Sequence, residues 1–80
     1  MRAADNARKD RVLWSLAQPP GPDSTYVVHV HAGTGADARI IQVDVGDALQ
    51  KHGRALVRVP ANTRKMALME GTRQILSATR

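Results

Sequence analysis

The 80-residue sequence contains no cysteine and no phenylalanine, and Trp14 and Tyr26 are its only aromatic residues. The lack of cysteine excludes a disulfide framework, a thiolate metal site and a thiol nucleophile. The shortage of aromatic residues leaves the core to Val, Ile, Leu, Met and Ala, which bury less surface per residue than an aromatic ring. A small core gains stability when it is shared with a partner, so we expect a homodimer or a partner protein.

Long apolar segments are also missing from the sequence. Residues 1–18 carry charges of both signs and lack the apolar stretch of a secretory signal. No segment approaches the roughly 18 apolar residues that read as a membrane span. We therefore expect a cytoplasmic protein with no membrane association, and the length predicts a single small basic domain over residues 1–80.

Positive charge is what the sequence has in excess. Twelve Lys and Arg residues stand against seven Asp and Glu residues, which gives a formal net charge of +5. Such an excess favours an anionic partner, namely nucleic acid or an acidic protein. The alternative is that the charge reflects composition alone and serves only to solvate the surface.

Two segments near the ends of the chain have the apolar spacing of helices. In residues 5–18, a stripe of apolar residues lies at i, i+1, i+4 and i+5 from Val12, and Pro19 ends the segment. In residues 62–80 an apolar side recurs at i, i+3, i+4 and i+7; it consists of Leu68, Met69, Thr72, Ile75, Leu76 and Thr79. We predict one long helix in each segment.

The middle of the chain has the period-2 alternation of β-strands. Residues 25–32 and 38–45 alternate, and the GTGAD turn at 33–37 separates them. Pairing Val30 with Ile41 segregates apolar from polar side chains, so this register is expected to prevail over one shifted by one residue.

A short helix and a third strand are predicted after this hairpin. Residues 46–53 read as a helix with Asp47 as its cap, and Gly53 supplies a left-handed exit. Residues 54–60 read as a strand that Pro60 ends. The order α-β-β-(short α)-β-α predicts an α+β fold, with a three-stranded antiparallel sheet and two long helices on one face. The exposed face would then carry His29, His31, Gln42, Asp44, Leu56 and Arg58.

His29 and His31 are spaced for one face of a strand, and the chosen register places Asp44 diagonal to His29. Two imidazoles and a carboxylate are ligands found in catalytic zinc or iron sites. With no second carboxylate in view, we predict no metal and no cofactor, and these three residues remain weak metal candidates. Polar cover of the sheet, or contact with RNA or a partner, is the alternative.

The HVH segment at 29–31 resembles the nickel-binding strand of the nickel-responsive regulators related to ribbon-helix-helix proteins. That family adds a cysteine ligand shortly afterwards, and this sequence contains no cysteine. The resemblance covers only a few residues, so the nickel site is not carried over.

Arginine is the more frequent basic residue, and its planar guanidinium suits bidentate contact with phosphate. The basic residues of the last two predicted elements form the expected nucleic-acid contact surface, which comprises Arg58, Arg64, Lys65, Arg73 and Arg80. Exposed aromatic residues, on which unpaired bases stack, are missing. Duplex or structured nucleic acid is therefore the expected ligand.

Residues 51–76, KHGRALVRVPANTRKMALMEGTRQIL, resemble the HicA-type toxins, which are small basic ribonucleases with an α-β-β-β-α fold. The shared features are a Gly-Arg turn into a strand that ends at Val59-Pro60, then Gly71-Thr72 and Ile75-Leu76. The resemblance implies a small ribonuclease. However, the family's catalytic histidine lies in a Gly-Ser-His segment that this sequence lacks.

Three functions follow from these patterns, in order of preference. The first is a small nucleic-acid-binding accessory or regulatory protein that contacts the phosphate backbone. The second is a protein-binding module or inhibitor that acts through an exposed sheet face, around Val27, Ile40 and Leu56, or through a strand edge. The third is a toxin-like ribonuclease, which is less favoured because the serines lie in no catalytic motif.

Overall fold

The computed structural model describes residues 5–8 and 10–79, and strands dominate it. The elements are β1 Asp5–Arg8, β2 Arg11–Ser15, β3 Tyr26–Ala32, β4 Arg39–Asp44, α1 Gly46–His52, β5 Arg54–Arg58, β6 Thr63–Glu70 and β7 Arg73–Thr79, with a 3₁₀ turn at Gly35–Asp37. The strands form two antiparallel sheets, with strand orders β1-β2-β5 and β4-β3-β6-β7.

The predicted α+β fold, with two long helices on a three-stranded sheet, is wrong. Strands β1 and β2 occupy the segment of the first expected helix, and the β6–β7 hairpin occupies that of the second. The α-β-β-β-α order implied by the HicA resemblance is therefore not found either. In the part of the chain that the structure describes, α1 is the single α-helix, and its seven residues are too few to cross a membrane.

The first error has a physical cause in strand β2. Val12 and Trp14 are fully buried, whereas Leu13 between them is only half-buried, so burial follows the period of a strand. A helical stripe would have buried Val12 and Leu13 together. Pairing with β5, in which Val12 lies opposite Val57, supplies the apolar partner that the sequence pattern alone could not show.

The second error arises at Gly71 and Thr72, which form a two-residue hairpin loop between the paired residues Glu70 and Arg73. Gly71 has φ +60° at the first loop position, where a type II′ hairpin turn requires glycine. Reversal of the chain here places strand β7 antiparallel to β6, so positions three and four residues apart no longer share a helix face.

The central predictions are largely confirmed. Val30 pairs with Ile41 in the β3–β4 hairpin, in the expected register. Helix α1 ends at Gly53, whose φ is +72° and whose N–H donates to the Leu49 carbonyl. Asp47, however, lies in the first turn and is not the cap. The residue at the cap position is Val45, whose side chain makes no cap hydrogen bond, and the N–H of Gly46 donates instead to Asp44 Oδ1 (2.9 Å).

The third predicted strand is also confirmed as β5, but it pairs with β2 and not with the β3–β4 hairpin. Both sheets and helix α1 contribute to one hydrophobic core. Its buried members are Val12, Trp14, Tyr26, Val28, Val30, Val45, Leu49, Ala55, Val57, Val59, Met66 and Leu68. Each sheet therefore turns one face toward this core, and the side chains that alternate with the core residues lie on the outer faces.

Candidate anion-binding site

The outer face of the four-stranded sheet is organised in cross-strand rows. Pairing across β4, β3, β6 and β7 gives the rows Ile40–His31–Lys65–Thr79, Gln42–His29–Ala67–Ser77 and Asp44–Val27–Met69–Gln74. Residues directly opposite one another in a sheet project to the same face. The first of these rows carries His31 and Lys65, the second carries His29, and the third carries Asp44.

Four cationic or titratable side chains lie close together at the end of this sheet, next to the connection between β3 and β4. His31, Arg39 and Arg64 line a depression of about 280 Å³ whose remaining lining comes mostly from the β3–β4 connection. Lys65 lies directly opposite His31 on strand β6. We refer to His31, Arg39, Arg64 and Lys65 as the cationic corner; strands β3, β4 and β6 each contribute to it.

Gly33 shapes the backbone beside the cationic corner. Its φ is +77°, and a Cβ atom there would lie 2.4 Å from the Asp37 carbonyl oxygen, so only glycine fits without a shift. The Gly33 N–H donates to the Asn62 carbonyl (3.0 Å), which joins the β3–β4 connection to the start of β6. The Arg64 guanidinium donates to the Gly33 carbonyl oxygen at 3.3 Å, and this contact holds Arg64 at the rim of the depression.

The local electrostatic potential at the corner is positive. Partial burial lowers the pKa of His31 below its ordinary value, and the neighbouring charges of Lys65, His29 and Arg64 lower it further. Among the described residues, the ion pairs within 4.0 Å are Arg11–Asp10 and Arg73–Glu70. None of the described carboxylates therefore neutralises Arg39, Arg64 or Lys65 at ion-pair distance.

The structure separates the five residues predicted to contact phosphate. Arg64 and Lys65 lie in the cationic corner. Arg73 lies at the β6–β7 turn, beyond the third row, and donates to Glu70 at 2.8 Å. Arg58 is on the outer face of the other sheet, and Arg80 lies outside the described residues.

Arg39 was not predicted as an anion-binding residue, and for His31 contact with RNA was one of the alternatives. The expected β3–β4 register gave a partial signal for Arg39, because it places Arg39 opposite Ala32 and so brings it to the same end of the sheet as His31, although on the alternate face. The position of β6 next to β3 could not be foreseen, since that segment was assigned to a helix. Arg64 and Lys65 therefore could not be placed against the histidines from the sequence.

The three weak metal candidates lie on the same outer face. His29 and His31 share it as expected, and Asp44 lies opposite Val27, diagonal to His29. Across residues 5–8 and 10–79, no group of three or more His, Asp or Glu side chains is close enough to hold a metal ion. Leu56 and Arg58, which were expected on this face, belong to strand β5 of the other sheet.

A second concave region lies between the chain segment after β2 and strand β7. At its base the Tyr26 hydroxyl donates to Glu70 Oε2 (2.6 Å), and the Gly21 N–H donates to the Tyr26 hydroxyl (2.8 Å). The Tyr26 and Arg73 hydrogen bonds lower the pKa of Glu70. Both Glu70 carboxylate oxygens thus accept hydrogen bonds within the chain, and this network ties the loop to the β6–β7 hairpin.

Comparison with protein-family models, with curated proteins and with solved structures gave no match.

Proposed function

We propose that this protein is an accessory or regulatory protein that binds the phosphate backbone of duplex or structured nucleic acid through the cationic corner. The observation that carries the proposal is that His31, Arg39 and Arg64, from three strands, line one depression, and that Lys65 lies directly opposite His31. No described carboxylate pairs with the two arginines or the lysine. A phosphate placed there would supply the missing negative charge.

The chemistry of the corner suits a phosphodiester better than an isolated carboxylate. Two guanidinium groups line the same depression, and each can donate two parallel N–H bonds to phosphate oxygens. Lys65 adds a compact charge in the same row. Arg39, Arg64 and Lys65 are all exposed, so an extended polyanion can reach them.

The positions of the aromatic residues favour a duplex or structured ligand over unpaired bases. Trp14 and Tyr26 are the only aromatic residues in the chain, and both are buried, at 0% and 1% exposure. Base stacking on aromatic rings is a principal source of affinity for single strands. Without such a platform, binding would rest on phosphate contacts, which are largely independent of sequence.

The proposal includes two expectations that come from the sequence, a cytoplasmic location and a homodimer. A two-fold dimer would present two cationic corners, and a second corner would add its phosphate contacts to the first without any new chemistry. Light scattering on the purified protein, with and without a duplex, measures the oligomeric state directly.

The test is a fluorescence-anisotropy titration against duplex DNA, duplex RNA and single-stranded RNA, at about 50 and about 200 mM salt. Three phosphate contacts, from Arg39, Arg64 and Lys65, predict a slope of about −2.7 in log affinity against log salt for B-form DNA. Affinity for duplex DNA should therefore fall about 40-fold over this fourfold range of salt. Single-stranded RNA should bind more weakly than either duplex.

A matched pair of variants separates the cationic corner from net charge. Arg39→Ser/Arg64→Ser removes two corner charges, so the slope should fall to about −0.9, with about a 3.5-fold loss over the same salt range. Arg54→Ser/Arg58→Ser removes two arginines from β5, in the other sheet, and should largely keep the parent slope. Equal losses in the two variants would mean that binding follows net charge and not the corner. Failure of the parent protein to bind at the lower salt would refute the proposal.

A further inference from the structure

Strand β5 is an edge of its sheet, since β2 is its only strand partner among the described residues. The Val59 N–H donates to the Asp10 carbonyl (2.8 Å), and the Leu16 N–H donates to the Gly53 carbonyl (3.4 Å). In an antiparallel pair, successive residues point their backbone groups alternately toward and away from the partner. It follows that Gly53, Ala55, Val57 and Val59 face β2, whereas Arg54, Leu56 and Arg58 direct their N–H and C=O groups to the open edge.

The same three residues carry the outer-face side chains of β5. Arg54, Leu56 and Arg58 are all exposed, and Leu56 reaches 60% exposure, the highest of the large hydrophobic residues described. Leu13 lies opposite Leu56 on β2, in a non-hydrogen-bonded position where side chains approach closely. Arg11 lies opposite Arg58. The edge therefore combines a leucine pair with flanking arginines and a row of backbone groups that have no partner among residues 10–79.

We propose that this edge binds an acidic, extended segment of a partner protein, which adds to β5 as an antiparallel strand. Its backbone would exchange N–H···O=C bonds with Arg54, Leu56 and Arg58. The partner's side chains opposite Arg54 and Arg58 would be acidic, and the one opposite Leu56 would be apolar. One further residue of the partner would separate each of these positions from the next. Opposite charges across neighbouring strands stabilise the pairing, and the central apolar side chain would cover Leu13 and Leu56.

Charge argues against a second copy of this chain as the occupant. Two β5 strands paired antiparallel about Leu56 would place Arg54 of each copy opposite Arg58 of the other, and like charges directly opposite destabilise a sheet. A nucleic acid also fits poorly, because phosphates accept hydrogen bonds but cannot satisfy the carbonyl groups of the edge. Among residues 10–79, the carboxylate at ion-pair distance from an arginine of this face is that of Asp10, whose Oδ1 lies 4.0 Å from Arg11 Nε.

The first test uses a labelled peptide with the core Glu-Thr-Leu-Thr-Glu, and a control peptide with the core Lys-Thr-Leu-Thr-Lys. The acidic peptide should bind about tenfold or more tightly than the control. Arg54→Glu/Arg58→Glu should reverse this preference, so that the lysine peptide becomes the tighter ligand. Unchanged fluorescence from Trp14 would show that the variant is folded. Failure of the acidic peptide to bind the parent protein would overturn the proposal. So would a variant that no longer binds the acidic peptide and does not bind the lysine peptide either.

Hydrogen exchange then distinguishes strand addition from simple attraction between charges. The bound peptide should slow exchange at the amides of Arg54, Leu56 and Arg58, and leave Ala55 and Val57 unchanged because they already bond to β2. Binding without this alternation would refute strand addition. In the free protein, protection of these amides that increases with protein concentration and is abolished by Leu56→Lys would mean that a second copy of the chain occupies the edge. The proposal would then fail.

This inference does not rest on the nucleic-acid proposal, because the two sites lie on different sheets. Arg39→Ser/Arg64→Ser should weaken nucleic-acid binding and spare the acidic peptide, whereas Arg54→Ser/Arg58→Ser should do the reverse. If one double variant impaired both ligands equally, the peptide would be binding to general positive charge, and the edge site would be wrong.

Discussion

Replacing Gly33 with alanine tests the turn that supports the cationic corner. Gly33 lies at φ +77°, where an alanine is strained, and the new Cβ would lie 2.4 Å from the Asp37 carbonyl oxygen. Gly71 provides a matched control, because its φ of +60° is similar but its Cβ would meet nothing within 4 Å. The two substitutions therefore share the backbone strain and differ in the steric clash.

The magnitudes follow from these two terms. A left-handed non-glycine residue costs roughly 1–2 kcal/mol, so Gly71→Ala should lower the free energy of unfolding by about that amount. At Gly33 the backbone of the 3₁₀ turn must also move, and overpacking of this kind typically adds about 1–3 kcal/mol. Gly33→Ala should thus cost about 2–5 kcal/mol in total, out of about 4–12 kcal/mol expected for a domain of this length.

Urea denaturation measures both costs, with the fluorescence of the buried Trp14 as the probe. Thermal melts should agree, at about 4–8 °C lost for each kcal/mol. Because Arg64 donates to the Gly33 carbonyl, Gly33→Ala should also weaken nucleic-acid binding, whereas Gly71→Ala should not. Equal destabilisation by the two variants would show that the clash at Asp37 is absent and that the turn differs from the one described.

Two further predictions concern strands β6 and β3. Met66→Ala should lower the free energy of unfolding by about 2–5 kcal/mol in urea denaturation, because Met66 is 1% exposed. If residues 62–80 formed the predicted helix, Met66 would lie outside its apolar side, and the substitution would leave the free energy of unfolding almost unchanged. The pKa of His31 is lower in the folded protein than its ordinary 6.5, so the unfolded chain binds more protons as the pH falls past that value. His31 therefore lowers the free energy of unfolding as the pH falls, and His31→Asn should reduce the pH dependence of unfolding below pH 6.5. An unchanged dependence would contradict the partial burial of His31 and the neighbouring charges of Lys65, His29 and Arg64.

The sequence predicted the structure correctly where the alternation of apolar and polar residues agreed with the residue types found at turns. In strand β3 the valines at 28 and 30 alternate with histidines, and the loop before Arg39 contains two glycines, so a one-residue shift would have mixed both faces. Gly53 likewise marked the end of α1 because a left-handed exit strongly favours glycine.

The two terminal segments were misassigned because local preference and tertiary pairing disagreed. The KMALME stretch of β6 consists of good helix formers, yet pairing with β3 on one side and β7 on the other makes it a central strand. Gly71 and Thr72 fell inside the helix predicted over residues 62–80, although two such residues also make a hairpin loop. Because of this assignment, the sequence could not show that Arg64 and Lys65 of β6, which are half of the cationic corner, lie beside strand β3.

The pairing of distant strands has a consequence for how the chain reaches its folded state. Val28 pairs with Leu68 and Val12 with Val57, so each sheet joins segments that lie about 40 or more residues apart in the chain. Closure of such long loops precedes most of the stabilising contacts, and folding should take milliseconds to seconds instead of microseconds. During synthesis Val12 and Trp14 cannot pair with β5 until that strand has been translated. Until then these two apolar side chains stay exposed to water, and transiently exposed apolar surface makes an incompletely folded chain prone to aggregation.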